Sequence, residues 1–201
     1  MLDRHIVALI APAVNALARQ LVALRIKADH VTLFAFVLGM GAAVLIASQA
    51  YLWGAAFILL SRLCDALDGS VARLTKPTDA GAYLDIALDF LFYASIPLAF
   101  AVAKPEVNAL PASILLAAFI GTGSTFLAFA ILAAKRGITS IAYPSKSFYY
   151  LGGLTEATET LCFFVAMCVW PAYFAPLAHL FSALCCVTIA TRLIGGWYSL
   201  R

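Results

Sequence analysis

Five of the chain's ten carboxylates lie between Asp65 and Asp89, inside a sequence that is otherwise overwhelmingly apolar. The stretch reads Asp65-Ala-Leu-Asp68-Gly69-Ser-Val-Ala72-Arg73, seven intervening residues, then Gly81-Ala-Tyr-Leu-Asp85-Ile-Ala-Leu-Asp89. Asp65 and Asp68 are three residues apart and Asp85 and Asp89 four, so each pair shares one face of a helix. An unpaired acid at membrane depth costs about 2.5–3.5 kcal/mol even on a lenient insertion scale. The fold must therefore bring cations to four acids and give lipid to everything around them.

The surroundings are apolar enough to demand a membrane. Hydrophobic residues make up 64% of the 201, charged residues 11%, and the mean hydropathy is +0.98. A soluble domain carries about 25% charged residues. The chain reads as an all-α integral membrane protein with room for about six spans of roughly 20 residues. Apolar runs place these at 31–48, 51–67, 81–103, 110–134, 156–173 and 174–197, and no separate soluble domain fits. Residues 1–30 then form a cytoplasmic helix, either lying along the interface or packed under the bundle, and 31–201 form the six-helix bundle that carries the motif at 65–89. With these spans, Arg4, Arg19, Arg25, Lys27, Arg62, Arg73, Lys76, Lys135, Arg136, Lys146, Arg192 and Arg201 all fall on one side, and only Lys104 on the other. Basic loops face the cytoplasm, so both termini and the acidic motif are expected there.

Placed on helices, Asp65, Asp68, Gly69, Ala72 and Arg73 form one stripe, and Gly81, Asp85 and Asp89 another. Leu74–Ala80, with Pro77 inside, is long enough to reverse the chain and set the stripes face to face. Four mutually repelling carboxylates in low dielectric call for counter-charge. Two divalent cations would supply it, and an all-oxygen ligand set favours Mg²⁺ or Mn²⁺ over zinc or copper. Gly69, Ala72 and Gly81 leave space beside the acids, and Arg73 offers a fork suited to phosphate. Together these describe a diphosphate site at the membrane surface. The plainer alternative is that the acids pair with Arg62, Arg73 and Lys76 and only hold the bundle together. The five cysteines, Cys64, Cys162, Cys168, Cys185 and Cys186, have no metal-binding spacing and read as small buried apolar residues.

These residues resemble the signature of the CDP-alcohol phosphatidyltransferase family, D-x2-D-G-x2-A-R-x8-G-x3-D-x3-D. The matching positions are Asp65, Asp68, Gly69, Ala72, Arg73, Gly81, Asp85 and Asp89, with the turn before Gly81 one residue shorter than usual. A Pro-Asn-x-x-Thr element common before the first span of such proteins survives here mainly as Thr32. The resemblance implies transfer of a phosphatidyl group from CDP-diacylglycerol to a polar alcohol, with release of CMP. It implies metal binding by Asp65, Asp68, Asp85 and Asp89, with Asp89 also the general base. It further implies a nucleotide pocket at Thr32, Asp68, Gly69, Ala72, Arg73 and Gly81. Lys135, Arg136 and Arg192, and with a weaker case Lys146, are candidate partners for an anionic acceptor. Glycerol 3-phosphate is the first choice, with inositol phosphate, serine or a phospholipid as alternatives. A bacterial inner-membrane homodimer is also implied, and Gly121 and Gly123 would allow close helix contact. An ion or proton transporter is the competing class, since intramembrane acids mark ion paths. The repeated halves usual in transporters are not found in this sequence.

Overall fold

A computed structural model describes residues 3–137 and 154–201, with side chains from Ala11 onward. Lys146 and the connection around it therefore lie outside the described residues. The described residues fold into seven α-helices and no strand: α1 (Asp3–Ala23), α2 (Ala28–Ala47), α3 (Tyr51–Leu74), α4 (Asp79–Ala103), α5 (Pro105–Lys135), α6 (Ala157–Val169) and α7 (Phe174–Leu200). A short 3-10 turn, Pro171–Tyr173, leads into α7.

Six helices follow α1, as the apolar runs indicate, but they differ in length. Segments Ala28–Ala47, Asp79–Ala103, Pro105–Lys135 and Pro171–Leu200 are long and apolar enough to cross a membrane. Helix α3 has 24 residues but carries Arg62 at its middle and Asp65, Asp68 and Arg73 in its second half. Helix α6 has 13 residues, or about 20 Å at 1.5 Å per residue, against a hydrocarbon core of about 30 Å. The N-terminal segment ends earlier than expected. Arg25 turns the chain with φ at 59°, and α2 begins at Ala28, so residues 1–30 are not one helix. Val14 of α1 is buried against Val31, Ala35, Cys64 and Leu67, and Ala18 is buried one turn on, which packs α1 onto the bundle.

Local chemistry sets the helix ends that matter for the site. Pro77 lacks an N–H and sits in the Thr75–Thr78 break. Thr78 then caps α4, its Oγ1 accepting from the Gly81 N–H at 3.1 Å. At the start of α6, Glu156 and Glu159 form a reciprocal capping box. The connection from α3 to α4 is thus four residues long, and the two helices run antiparallel.

Helix α2 is the pivot of the bundle, packed on both α3 and α4. Small residues make that possible. The Ser61 hydroxyl of α3 donates to the Ala35 carbonyl of α2 at 2.7 Å. A Cβ placed on Gly39 would stand 2.5 Å from Cδ2 of Phe92, a fully buried α4 side chain. Phe92 heads an aromatic core that continues through Phe164 of α6 to Phe119 and Phe181. The outer face is apolar and exposed, with Phe34, Val37 and Val44 on α2 and Leu193 and Trp197 on α7. Two cysteines, Cys162 and Cys186, lie on that outer face, whereas Cys64, Cys168 and Cys185 are buried. The expectation of burial therefore fails for the first two, because a surface that faces lipid tolerates apolar groups that water would exclude.

Because Gly39 touches Phe92, Gly39→Val is expected to lower stability by about 1–3 kcal/mol through overpacking. Thermal unfolding in detergent measures this. An unchanged midpoint would mean that α2 and α4 do not pack as described.

Candidate active site

The second half of α3 and the first half of α4 run antiparallel, so their acidic stripes meet. Asp65, Asp68 and Asp85 each offer a carboxylate oxygen, and these lie within 4.8 Å of one another. Asp68 is 6% exposed, and its Oδ2 is buried with no hydrogen-bond partner among the described residues. A buried carboxylate oxygen without a donor is costly. A bound divalent cation would satisfy it, and three carboxylates within ligand reach suit hard Mg²⁺ or Mn²⁺. The residues present therefore fit a divalent cation.

A cavity of about 430 Å³ opens beside this group. Thr32, Asp68, Gly69, Ala72, Gly81 and Asp85 all line it. Residues outside the expected set join them, among them Arg25, Lys27 and Asp29 from the α1–α2 junction and Lys76 and Thr78 from the α3–α4 turn. The close approach of α2 to α4 explains why position 81 is glycine. A Cβ there would sit 2.9 Å from Oδ1 of Asp29 and 3.1 Å from Oγ1 of Thr78. The cavity is therefore walled by acids on one side and rimmed by lysine and arginine on the other, as an anionic ligand bridged by metal requires.

Asp89 lies one turn deeper and has a different partner. Its Oδ1 accepts from Nη1 of Arg62 at 2.5 Å, and the same nitrogen stands 3.5 Å from Oδ1 of Asp65. The guanidinium also lies 4.0 Å over the Phe92 ring, and its Nη2 donates to the Ser61 hydroxyl at 3.2 Å. Arg62 therefore does pair with the acids, as the plainer alternative held. Arg73 takes a third course: it is exposed and donates from Nη2 to the Ser70 hydroxyl at 2.7 Å. It is not among the cavity-lining residues. The i, i+3 spacing of Arg62 and Asp65 was the available signal for the first contact, but the reach to Asp89 depends on tertiary packing.

The candidate acceptor residues sit elsewhere. Lys135 and Arg136 close α5, both exposed, and Nη1 of Arg136 donates to the Leu200 carbonyl at the end of α7. Arg192 is only 8% exposed; its Nη1 donates to the Thr122 carbonyl at 3.0 Å, and it lies 5.6 Å from the Phe126 ring. Its guanidinium thus meets α5 from α7. None of the three lines the cavity beside the acids.

This geometry has counterparts. Residues 25–194 match the CDP-alcohol phosphatidyltransferase family, and the chain belongs to it. Inner membrane protein YnjF of Escherichia coli (strain K12) is 51% identical over 201 residues, 100% of this chain and 98% of that protein. Archaetidylinositol phosphate synthase of Methanothermobacter thermautotrophicus is 40% identical over 67 residues, 33% of this chain and 34% of that one. The fold is shared with phosphatidylinositol phosphate synthase of Mycobacterium tuberculosis at 20% identity. The crystal structure of that enzyme with CDP-DAG bound aligns with a TM-score of 0.68, covering 92% of this chain and 93% of that one. Its complex with manganese and citrate aligns at 0.72, covering 92% and 88%.

Removing one ligand should expose the metal role directly. Asp68→Asn is expected to weaken Mn²⁺ binding by at least about tenfold, the lower end of what even an outer-shell partner costs. Equilibrium dialysis of the detergent-purified protein measures it, and unchanged affinity would remove Asp68 from the site.

Proposed function

We propose that this protein transfers a phosphatidyl group from CDP-diacylglycerol to a small polar alcohol and releases CMP. The observation that carries the reading is the trio Asp65, Asp68 and Asp85, with oxygens within 4.8 Å, of which Asp68 and Asp85 line a cavity shared with Arg25, Lys27 and Lys76. Family membership supports the same reaction class.

In this reading the CDP moiety lies against Thr32, Asp68, Gly69, Ala72 and Gly81, with Lys27 and Lys76 at the rim. Arg73 reaches the donor's phosphates by swinging from Ser70. Asp65, Asp68 and Asp85 hold one divalent cation, and Asp89 completes the ligands of a second. Bound Mg²⁺ or Mn²⁺ neutralises charge on the diphosphate and on departing CMP. The remaining work falls to the chain's own groups. Helices α3 and α4 hold donor and acceptor at one interface, which supplies the entropic part of the acceleration. Asp89 takes the proton of the attacking hydroxyl. The new P–O bond forms to the alcohol oxygen as the anhydride P–O bond breaks, and the electron pair leaves with CMP.

For the acceptor we propose glycerol 3-phosphate, with its phosphate met by Arg192, Lys135 and Arg136. A second reading, inositol phosphate, is favoured by the names of two similar proteins, archaetidylinositol phosphate synthase and phosphatidylinositol phosphate synthase. The concentration of twelve of the thirteen Lys and Arg residues at one end supports a cytoplasmic site and cytoplasmic termini. The name of the 51% identical relative supports an inner membrane location. We further propose one membrane domain that works as a homodimer, with α1 at the cytoplasmic interface.

The test is an acceptor screen with labelled CDP-diacylglycerol in detergent, scoring CMP and lipid products. CMP release is expected with a phosphorylated polyol, and a chelator should abolish it. Absence of CMP release with every alcohol tried, or full activity after exhaustive chelation, would overturn the reading.

Arg192 separates acceptor from donor. Arg192→Ala is expected to raise the acceptor's KM by about tenfold or more, as loss of one charge-assisted phosphate contact implies, while leaving the donor's KM unchanged. Acceptor kinetics equal to wild type would take Arg192 out of the site.

A further inference from the structure

The mechanism above uses every acid of the cluster but leaves Arg62 without a task, although Arg62 is the cation closest to them. Its position is tightly determined. The guanidinium stacks on buried Phe92 at 4.0 Å, touches the Ser61 hydroxyl, and bonds to Asp89 at 2.5 Å. Phe92 is itself wedged against Gly39, and Ser61 is tied to Ala35 of α2. Nε of Arg62 is buried with no hydrogen-bond partner among the described residues. A guanidinium that accepts an unmade bond in order to hold this place is fixed by its surroundings. Both residues line a small cleft with Thr32, Phe36, Asp65 and Asp85, and Asp89, with its side chain 32% exposed against 13% for Arg62, is the freer partner of the pair.

We infer that Arg62 is a positioning residue that reserves Asp89, so that the resting protein loads one divalent cation and takes a second only together with the CDP-linked donor. The inference rests on the metal-dependent reading of the site proposed above and adds the order of loading. Charge explains the order. Asp65, Asp68, Asp85 and Asp89 together carry four negative charges. Arg62 and one divalent cation offset three of them and leave the site slightly anionic. A second divalent cation alone would make the site net positive in a low-dielectric pocket whose lining already carries Arg25, Lys27 and Lys76. A donor diphosphate diester brings two more negative charges and returns the site to the single net negative charge of its one-ion state. Asp89 then leaves Arg62, which stays over Phe92, and turns toward the cleft. Arg62 therefore keeps the proton acceptor occupied until the donor is present.

The experiment counts Mn²⁺ bound to detergent-purified protein by equilibrium dialysis and EPR, with and without CDP-diacylglycerol and with no acceptor. Wild type is expected to bind one ion alone and two with the donor lipid. Arg62→Gln should bind two ions without the donor, and Arg62→Lys should behave as wild type because the charge is kept. Two ions on wild type without the donor, or a single ion on Arg62→Gln, would overturn the proposal. If Arg62→Gln does not fold, Asp89→Asn serves in its place. It is expected to bind one ion even with the donor, and two would contradict the assignment. Absence of Mn²⁺ from every variant under both conditions would overturn the metal-centred reading of the site and this proposal with it.

Discussion

Four carboxylates held together in an apolar bundle are the constraint around which the rest of this molecule is arranged. Each would be strongly destabilising if left alone at that depth. The fold meets the cost in two layers. In the deeper one, Arg62 sits on Phe92 and bridges Asp89 and Asp65. In the outer one, Asp65, Asp68 and Asp85 converge on a shared point with an unbonded Asp68 oxygen. The protein itself offsets the Asp89 charge in the deeper layer; the outer layer is left for a ligand.

Packing of α2 connects these layers to the membrane. Its small residues let α3 and α4 close on either side, and its N-terminal residues Ala28, Asp29 and Thr32 form a wall of the cavity. The same helix thus sets the Arg62 support, through Ala35 and Gly39, and the shape of the pocket. A change at Gly39 would reach the acids through one side chain, Phe92. Structure and chemistry are coupled here by contact distances of a few ångströms.

Much of this was legible in the sequence. The acids at spacings of three and four, the glycines between them and the Pro77 turn were enough to expect two facing stripes beside a small-residue gap. The apolar runs were enough to expect six helices after the first. What the sequence did not disclose depended on tertiary neighbours. Arg73 had the right type for a phosphate clamp, yet its local bond is to Ser70. Arg192 was equally compatible with snorkelling, and only the approach of α5 shows it bonded to Thr122. Arg62 was one of three cations that the sequence offered as partners for the acids, and its seat on Phe92 and its bond to Asp89 came only with the packing.

The account stands or falls on a metal between α3 and α4. Its most direct test is an anomalous difference map from crystals grown with Mn²⁺ and no nucleotide. The account expects a strong peak bounded by Asp65, Asp68 and Asp85, with Asp89 still bonded to Arg62. A peak bound elsewhere, or an empty cluster at saturating Mn²⁺, would contradict it.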